Sequence, residues 1–445
     1  MKEEFIHYIW KTRQFNPDEL KTEDGKSIEI IYPGEHNHSS GPDFFNAQII
    51  VDNMDWAGNV EIHTKASDWL KHKHQFDNAY HNVILHVVYE ADVEIRNHRN
   101  EIIPTLVLAH RIDDQLYRKF LNLRNSRTKI PCANQIKHVP EILKTAWLSR
   151  LLVERLERKV GEISNDLNRA NMDWEGIFFR HLAGQFGMKE NAEPFQWMMT
   201  SIPGKIIHRQ FDEIQLTEAL LFGQSGLLPE ESSDAYTSIL KREYAHLKLK
   251  YNLQAIPPHW WKFMRMRPNN FPTIRISQFA CLIHRRPQLF RLCMEISTLS
   301  EMTKLFEVSA SDYWTNHFRF GMESKGDEKA MGRQTINSIL INTILPFRFL
   351  YGKWKGDEQL SASAIALLEK LPAENNKLIR EWKKISLFSH TAAESQGAIE
   401  LSKRYCDKKN CLNCEIGNYI LEKKEDKIKR KSTSPKSCRG DISLV

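Results

Sequence analysis

Short runs of β-forming residues are concentrated near the amino terminus, and this clustering constrains the fold more than any other feature of the sequence. Four such runs occur within the first 110 residues: IEIIYP, AQIIV, NVEIH and NVILHVVYE. Residues Glu3 to Trp10 show helical spacing before them, and a helix is predicted from Ala66 to Phe76 between the last two runs. The order α, β, β, β, α, β predicts a mixed α/β unit, which residues Glu94 to Leu108 extend as a further strand pair.

Beyond this unit, apolar residues recur at the three- and four-residue spacing of amphipathic helices. Helices are predicted from about Leu143 to Val160 and at Trp174–Phe186, Phe211–Phe222, Ser233–Tyr251, Ile274–Leu292, Thr335–Leu345, Ser361–Leu371 and Ala392–Tyr405. The expected class is therefore α+β, a mixed-sheet domain followed by a mostly α-helical domain. The predicted parts are the mixed-sheet domain at 1–123, a polar linker at 124–140, the helical domain with a carboxy-terminal cysteine cluster at 141–420 and a basic, disordered tail at 421–445.

Composition argues against an exported or membrane-embedded chain. The sequence of 445 residues is 41% hydrophobic and 27% charged, contains no apolar stretch long enough for a spanning helix, and opens on MKEEFIHYIW, which has the wrong flank for a secretory signal. Seven cysteines suit a reducing compartment, so a cytoplasmic location is expected. Of the net charge of +7, residues 421–445 supply about four, because they hold eight Lys/Arg against four Asp/Glu. Such a tail can bind nucleic acid, although a merely solvated tail is the commoner case.

Acidic residues and histidines form the sharpest functional pattern. Ten of the 18 histidines fall in the first 110 residues. In GPDFFNAQIIV, Asp43 opens a predicted strand, and in NVEIHTK the side chains of Glu61, His63 and Lys65 share one face of the next strand, because strand side chains alternate. If the strands are neighbours, Asp43 and Glu61 converge on a divalent cation such as Mg²⁺ or Mn²⁺, which assists phosphodiester hydrolysis.

This arrangement resembles the PD-(D/E)XK nuclease superfamily, in which an Asp opens one strand and Glu-x-Lys lies on the next. The resemblance implies a restriction-endonuclease-like α-β-β-β-α-β domain with metal ligands Asp43 and Glu61. It departs from the superfamily at His63, which stands where Lys is usual, so the general base is either His63 or Lys65. Glu35, near the end of the preceding strand, is a candidate third acidic ligand.

A wider pattern resembles an uncharacterised bacterial family known only as a domain of unknown function. The resemblance is carried by GPDFFNAQI, WAGNVEIH, SDWLKHKHQFDNAYHNVILHVV, RLLVERLERK, RPNNFPTIRISQFA and YCDKKNCLNCEIG. It covers nearly the whole chain but implies no established activity. The chemistry therefore depends on the residues themselves.

The remaining histidines have both functional and structural interpretations. His72 and His74 flank the predicted helix after the Glu61 strand, and His86 lies in the apolar run NVILHVV, where a hydrogen-bonded core histidine is as reasonable as a functional one. His36 and His38 form an H-x-H pair without the further His and Asp of a binuclear metallo-hydrolase, so zinc is not favoured there.

Three cysteines with the spacing Cys406-x4-Cys411-x2-Cys414 predict a second metal site. Thiolates suit Zn²⁺ or an iron–sulfur cluster, and both usually need a fourth ligand. Cys132 in the linker is the favoured fourth ligand, and Cys438 in the tail is the alternative. The structural alternative is that these cysteines bind no metal. Cys281 and Cys293 lie in apolar helical surroundings and are predicted core residues.

A basic and aromatic segment, HWWKFMRMRPNNFPTIR, has the composition of nucleic-acid grooves. Its tryptophans can stack on bases, and its cations can pair with phosphates: Lys262, Arg265, Arg267 and Arg275. The structural alternative, which is favoured, places the tryptophans in the helical core and the arginines at helix ends.

Together these patterns predict a Mg²⁺- or Mn²⁺-dependent nuclease acting on DNA or RNA. One alternative is a non-catalytic nucleic-acid-binding or scaffold protein on the same fold, which the His63 substitution supports. Another is a small-molecule metallo-hydrolase, which the histidine surplus supports. No Walker A glycine loop occurs, which argues against ATP hydrolysis.

Overall fold

A computed structural model describes residues 1–207, 213–231, 234–385, 387 and 390–423. The chain divides into two compact units, one formed by Met1–Val139 with the segment that begins at Tyr405, and the other by Pro140–Arg404. The cysteine segment after Tyr405 therefore belongs to the first unit, whereas its sequence position suggested the helical domain. The predicted linker also belongs to the first unit as far as Val139, because Ile130, Ile136 and Val139 are buried there. Of the predicted tail, residues 424–445 lie outside the described part of the chain.

The first unit contains a mixed sheet. Its strands are β1 (Ile28–Tyr32), β2 (Glu35–His36), β3 (Phe44–Val51), β4 (Met54–Lys65), β5 (Val83–Glu90) and β6 (Thr105–Val107). The hydrogen-bonded order is β1-β3-β4-β5-β6, with β2 paired to the start of β3. The β1, β3 and β4 strands pair antiparallel, whereas β5 runs parallel to both β4 and β6. The predicted α, β, β, β, α, β order is present, with β2 as an additional short strand. Of the strand pair predicted from Glu94 to Leu108, only β6 is a strand, and an isolated antiparallel bridge joins Arg96 and Ile102.

A bulge in β3 sets the orientation of the strand's first residues. Asn46 has a left-handed backbone, with φ of +57°, and the register against β4 shifts between Phe44 and Ala47. Both of these residues are buried, as are Ile49 and Val51 further along the strand. A bulge of this kind bends a strand and redirects its side chains. With the bulge included, the strand begins at Phe44, directly after Asp43 and three residues before the run AQIIV.

Within the described residues, helices lie before, between and after the strands of this sheet, and most of the second unit is helical. The α-helices are α1 (Glu3–Thr12), α2 (Asp68–Lys71), α3 (Asp114–Arg124), α4 (Glu141–Arg169), α5 (Trp174–Phe186), α6 (Ala192–Thr200), α7 (Gly204–Ile207), α8 (Ile214–Gln224), α9 (Ala235–Tyr251), α10 (Pro272–Arg285), α11 (Leu289–Glu295), α12 (Leu299–Leu305), α13 (Arg333–Ile339), α14 (Leu345–Lys355), α15 (Glu358–Lys370), α16 (Lys377–Lys384), α17 (Ala392–Glu400) and α18 (Glu415–Glu422). Two short antiparallel strands, β7 (His317–Arg319) and β8 (Met322–Glu323), also lie in the second unit.

The helix predicted between β4 and β5 is much shorter than expected. It ends at Lys71, because Lys73 adopts a left-handed backbone with φ of +61°, and two short 3₁₀ turns, His74–Phe76 and Asn78–Tyr80, complete the connection. The turn at Lys73 places His72 and His74 on successive short elements rather than on one helix. This local break directs both histidines toward β4, as described below.

The second unit contains a large apolar core, and each predicted helical segment contains a helix, whereas α6, α7, α12, α14 and α16 were not predicted. Trp174–Phe186 agrees at both ends with α5. The predicted helix Ile274–Leu292 is instead two helices, because Pro287 follows the end of α10 and cannot continue it. The predicted Thr335–Leu345 and Ala392–Tyr405 helices both pass into π-helical turns, at Leu340–Ile344 and Leu401–Cys406. Nowhere in the described ranges is a helix both long and apolar enough to cross a membrane.

Candidate metal centre

Pairing of β3 with β4 brings Asp43 and Glu61 together. Asp43 immediately precedes β3, whose first residue, Phe44, lies opposite Val60. The backbone N–H of Asp43 donates to Glu61 Oε2 at 3.0 Å, and the backbone N–H of Ile62 donates to Asp43 Oδ2 at 2.9 Å. These reciprocal bonds fix both carboxylates at the point where the two strands meet.

Two histidines lie beside the Glu61 carboxylate, and two more contact one of these histidines. Glu61 Oε1 lies 3.3 Å from His74 Nε2 and 3.6 Å from His63 Nε2. His63 Nε2 is 3.1 Å from His72 Nδ1, and His63 Nδ1 is 2.8 Å from His86 Nε2. One ring nitrogen from each of His63, His72 and His74 lies within 4.8 Å of the other two.

Helix α1 adds a fifth histidine from the other side of Asp43. His7 Nε2 lies 3.3 Å from Asp43 Oδ2. Glu3, His7 and Trp10 share one face of α1 because residues three and four apart are helical neighbours. We call the following residues the carboxylate–histidine cluster: Asp43, Glu61, His7, His63, His72 and His74.

Burial controls the protonation of the cluster. Burial and the charge of Asp43 raise the pKa of Glu61. Burial lowers the pKa of His63 to about 4, and the charges of His74 and His72 act in the same direction. Burial likewise holds the pKa of His86 well below its ordinary value. His63 and His86 are therefore neutral near pH 7, and neutral imidazole is the form that binds a metal ion.

His7 differs from the other histidines of the cluster in its electrostatics. Burial alone would lower the pKa of His7, but its contact with Asp43 and the negative charges of Asp43 and Glu3 outweigh burial and raise that pKa. A histidine with a raised pKa takes up a proton more readily than one whose pKa is near 4. The two kinds of histidine in the cluster thus suit different chemical tasks.

The donor set fits a divalent cation. Within the described residues, His7 Nε2 and His74 Nε2 are buried and make no hydrogen bond, although each lies 3.3 Å from a carboxylate oxygen. Buried polar atoms without partners are uncommon in folded proteins. A cation between the carboxylates and the imidazoles would give His74 Nε2 a partner, and it would offset the repulsion by Asp43 that adds to burial in raising the pKa of Glu61. Imidazole nitrogens favour Mn²⁺ or Zn²⁺ over Mg²⁺, which prefers oxygen ligands.

Two other predicted site residues are placed at the edges of this region. Lys65 lies on the exposed end of β4, and its Nζ is 3.2 Å from Glu90 Oε1. Glu35 is exposed on β2, opposite Phe45. The neighbouring His36 stacks on Phe44, with ring centroids 4.8 Å apart, and lies 5.5 Å from the His7 ring. The structure therefore brings together Asp43, Glu61 and His63 but gives neither Lys65 nor Glu35 a contact with them.

A basic cleft of about 240 Å³ reaches the cluster at His7, which forms part of its wall. Four cations line it, and one acidic residue, Glu4, pairs with Arg124 among them: the cations are Lys11 from α1, Arg124 from α3, and Lys408 and Lys409 from the loop after Cys406. All of these elements belong to the first unit. We call this feature the basic cleft. It combines a positive lining with a histidine that contacts Asp43.

His7 is the cluster residue that sequence reasoning missed. It lies at the start of the chain, far from the motifs that indicated the site, and it is surrounded by apolar residues that predict only an amphipathic helix. The spacing of four residues between Glu3 and His7 places both on one face of the helix, and this was the sequence signal for a functional histidine here. The sequence places His72 and His74 beside the predicted helix. Their convergence on His63 depends on the left-handed backbone at Lys73, which sequence periodicity does not predict.

The four favoured cysteine ligands are buried, and none of them forms a disulfide. Cys132 lies in the turn before Gln135, Cys406 ends the π-helical turn, Cys411 opens a 3₁₀ turn and Cys414 is the N-cap of α18. These four residues belong to the first unit. Cys438, the alternative fourth ligand, lies outside the described residues.

The basic and aromatic segment divides into exposed and buried parts. Lys262, Arg265 and Arg267 are exposed. Arg275 is buried in α10, where its guanidinium donates to Gln278 Oε1 at 3.0 Å and Asn270 Oδ1 at 2.7 Å. Trp261 is also buried, and its indole N–H donates to the Ser225 carbonyl oxygen at 2.8 Å. Arg275 and Trp261 therefore have the structural roles that the alternative interpretation gave to the arginines and tryptophans of this segment.

The fold and site define an α+β protein whose mixed-sheet unit carries a carboxylate–histidine cluster. The chain belongs to the family described as Protein of unknown function (DUF2851), whose model matches residues 3–377. That match includes the whole sheet and every residue of the cluster. Among curated proteins and solved structures, none matches the chain.

Proposed function

We propose that the first unit is a metal-dependent phosphodiesterase that cleaves DNA or RNA in a reducing, cytoplasmic compartment. The observation that carries the proposal is the convergence of Asp43 and Glu61 with histidine nitrogens at one point of the sheet. The antiparallel β1-β3-β4 pairing followed by a parallel β5 agrees with the α-β-β-β-α-β order of the PD-(D/E)XK superfamily. The basic cleft adds a lining that attracts a phosphate backbone.

The donor set assigns different tasks to the residues. Asp43, Glu61 and His63 would hold the cation, with His72 and His74 available to complete its ligands. When bound, such a cation supplies Lewis acidity toward a phosphoryl oxygen and toward the attacking water. His63 is a poor general base because its pKa is near 4. His7 is the better candidate, since it contacts Asp43 and forms part of the wall of the basic cleft.

The test is cleavage of labelled single- and double-stranded DNA and RNA by the full chain with Mn²⁺, Mg²⁺ or Zn²⁺. We expect Asp43→Asn and Glu61→Gln to lower the rate at least about 100-fold, because each removes a negatively charged ligand oxygen. Lys65→Ala is the matched control, since Lys65 lies two residues beyond His63 and pairs with Glu90 outside the cluster. Circular dichroism would verify that all three variants fold.

Three results would contradict the proposal. Cleavage that survives both carboxylate substitutions would place the activity elsewhere. Loss of cleavage in Lys65→Ala alone would make Lys65 the base and remove His7 from that role. No cleavage of any nucleic acid with any of the three metals would favour the non-catalytic binding or scaffold function, for which the substitution of the usual Lys by His63 is the supporting observation.

A small-molecule metallo-hydrolase is the second candidate. It is favoured by the three neighbouring imidazoles and by the modest volume of the basic cleft, about 240 Å³, which fits a small phosphate ester better than a duplex. Hydrolysis of bis(p-nitrophenyl) phosphate without cleavage of any polymer would support this candidate. Both candidates require the same carboxylates, so Glu61→Gln abolishes either activity.

A further inference from the structure

Four buried cysteines, one of them far from the other three in sequence, belong to the first unit. Cys132 and the group Cys406, Cys411 and Cys414 are separated by 274 positions or more, from 132 to 406. All four are buried, and none forms a disulfide. The other buried cysteines, Cys281 and Cys293, lie on separate helices of the second unit, within or beside its large apolar core. Only the first group is thus clustered among the described cysteines.

The backbone around these cysteines is held in place by specific contacts. Lys409 adopts a left-handed conformation, with φ of +55°, and its ammonium donates to the carbonyl oxygens of Ser126 at 2.8 Å and Thr128 at 2.9 Å. These bonds join the loop between Cys406 and Cys411 to the segment that leads into Cys132. The loop and the segment that precedes Cys132 are thus held together by a half-buried cation.

Helix α18 approaches the same place closely. A Cβ added to Gly417 would lie 2.1 Å from the Cys411 carbonyl oxygen, so only glycine allows the first turn of α18 to pack on the Cys411 turn. Cys414 is the N-cap of this helix, and no hydrogen bond to its sulfur caps the helix. A thiolate at a helix N-terminus is stabilised by the unpaired backbone N–H groups and the helix dipole.

The four thiols interact electrostatically. Burial raises the pKa of Cys132 to about 12, and the neighbouring Cys414 and Cys411 contribute to this rise. Burial also raises the pKa of Cys406, with further contributions from Cys132, Cys414 and Cys411. These interactions mean that Cys132 and Cys406 both lie near Cys411 and Cys414.

We propose that Cys132, Cys406, Cys411 and Cys414 bind one thiophilic metal centre, either a zinc ion or an iron–sulfur cluster. Binding replaces four S–H bonds with four sulfur–metal bonds and releases the protons to solvent, with no change in the oxidation state of sulfur. Both kinds of centre use four thiolates, so the chemistry of recognition is shared. We call these residues the four-cysteine centre.

The four-cysteine centre has a consequence for the basic cleft. The loop between Cys406 and Cys411 supplies Lys408, Lys409 and Asn410 to the lining of that cleft, and Leu412 and Asn413 follow from the Cys411 turn. A metal bound at both ends of the loop would hold these residues beside His7. This consequence depends on the function proposed above, whereas the metal centre itself does not.

The test is metal analysis of the full chain, purified without oxygen and with no added chelator. We expect either about one zinc per chain that the Asp43→Asn variant retains, without colour, or iron and acid-labile sulfide with visible charge-transfer absorption. Cys406→Ser and Cys411→Ser should each lose most of this metal. Cys281→Ala is the matched control, because it removes a buried thiol outside the four-cysteine centre and should keep the metal.

A second measurement keeps the test informative if a variant folds poorly. Reconstitution of the wild-type chain with Co²⁺ gives the intense absorption of thiolate coordination, and thiol labelling of the metal-free and the metal-loaded chain should differ by four cysteines. A wild-type chain that takes up no stoichiometric zinc, cobalt or iron, or a Cys411→Ser variant that retains full metal, would overturn the proposal. Asp43→Asn separates the two proposals, since it should abolish cleavage and leave the metal content of the four-cysteine centre unchanged.

Discussion

His63 lies at the centre of a chain of imidazoles, and His86 determines which of its nitrogens is free. A neutral imidazole carries one proton, so Nε2 of His63 can bind a cation only when the proton lies on Nδ1. His86 Nε2 is 2.8 Å from that Nδ1 and is the acceptor for its N–H in the metal-bound form. His86 is therefore a positioning residue, which acts through the ring of His63.

Replacing His86 should weaken metal binding without changing any ligand. We expect His86→Phe to raise the dissociation constant for Mn²⁺ or Zn²⁺ about 10- to 100-fold, the usual effect of losing a hydrogen bond behind a histidine ligand. Calorimetric titration measures the constant, and His81→Phe is the control, because His81 stacks on His98 with ring centroids 3.6 Å apart. Equal affinities for His86→Phe and wild type would show that His63 is not held in this way.

Lys159 in α4 is a second residue whose environment determines its protonation. Its Nζ lies 2.7 Å from Asn342 Oδ1. Burial lowers the pKa of Lys159 to about 7, the charge of Arg155 acts in the same direction, and Glu374 only partly opposes them. Between pH 7 and the ordinary lysine pKa of 10.5, the unfolded chain binds one more proton here than the folded chain. The contribution of Lys159 to the free energy of unfolding therefore rises with pH across this window.

Substitution of Lys159 makes this pH dependence measurable. We expect Lys159→Met to be more stable than wild type at pH 6.5, and the difference to shrink as the pH approaches 10. Urea unfolding at several pH values provides the free energies, with Lys370→Met on the exposed surface of α15 as the control. A difference that stays constant from pH 6.5 to 10 would mean that Lys159 remains charged in the folded protein.

The candidate site was predictable where it depends on strand alternation and not where it depends on backbone turns. Period-two spacing placed Glu61 and His63 on one face, and the short loop between β3 and β4 makes Asp43 their neighbour. The convergence of His74 requires the left-handed Lys73, and the contribution of His7 requires the packing of α1, so neither follows from spacing. The placement of Lys65 beside Glu90 likewise depends on a partner that lies on β5.

Packing between α4 and α17 depends on one glycine. A Cβ on Gly397 of α17 would lie 2.3 Å from the Leu148 carbonyl oxygen of α4. An atom at that distance forces the two helices apart, because the obstacle is backbone rather than a flexible side chain. We expect Gly397→Ala to lower the free energy of unfolding by about 1 to 3 kcal/mol, measured by urea unfolding.

Gly161 provides the matched control within α4. A Cβ there would meet nothing within 4 Å, and the residue is exposed. Because alanine restricts the unfolded chain and favours helix, Gly161→Ala should raise the free energy of unfolding by about 0.5 to 1 kcal/mol. Two Gly→Ala changes with opposite signs would separate packing from helix propensity. Destabilisation by both, or by neither, would contradict the close approach of α4 and α17.

The elements themselves were predictable where periodicity is strong and unpunctuated. Helices α4 and α5 follow the apolar spacing closely, and the four β-rich runs are all strands. The single predicted helix Ile274–Leu292 was wrong because Pro287 separates α10 from α11. The predicted length of the helix after β4 was wrong because the left-handed Lys73 ends it early. Each of these breaks involves one residue, whereas apolar periodicity is a pattern over many residues and does not detect a single break.

At the scale of the whole molecule, the two proposed metal sites differ in the softness of their ligands. The carboxylate–histidine cluster offers oxygen and imidazole nitrogen, whereas the four-cysteine centre offers sulfur. Hard and borderline ions bound by carboxylates exchange more readily than a metal held by four buried thiolates. Both sites nevertheless lie in one compact unit, which the chain completes only when the segment after Tyr405 returns to residues 1–139.

This chain topology allows the stability of each unit to be measured separately. Amide hydrogen exchange reports local and sub-global opening peptide by peptide. We expect Cys411→Ser to speed exchange in peptides from residues 1–139 and 405–423, because it removes a metal ligand that joins those segments. Gly397→Ala should instead speed exchange in peptides from 140–404, where α4 and α17 pack. If either variant speeds exchange equally in both sets of peptides, the two units open as one cooperative body. For Cys411→Ser, this result would mean that the four-cysteine centre stabilises the entire chain rather than the first unit alone.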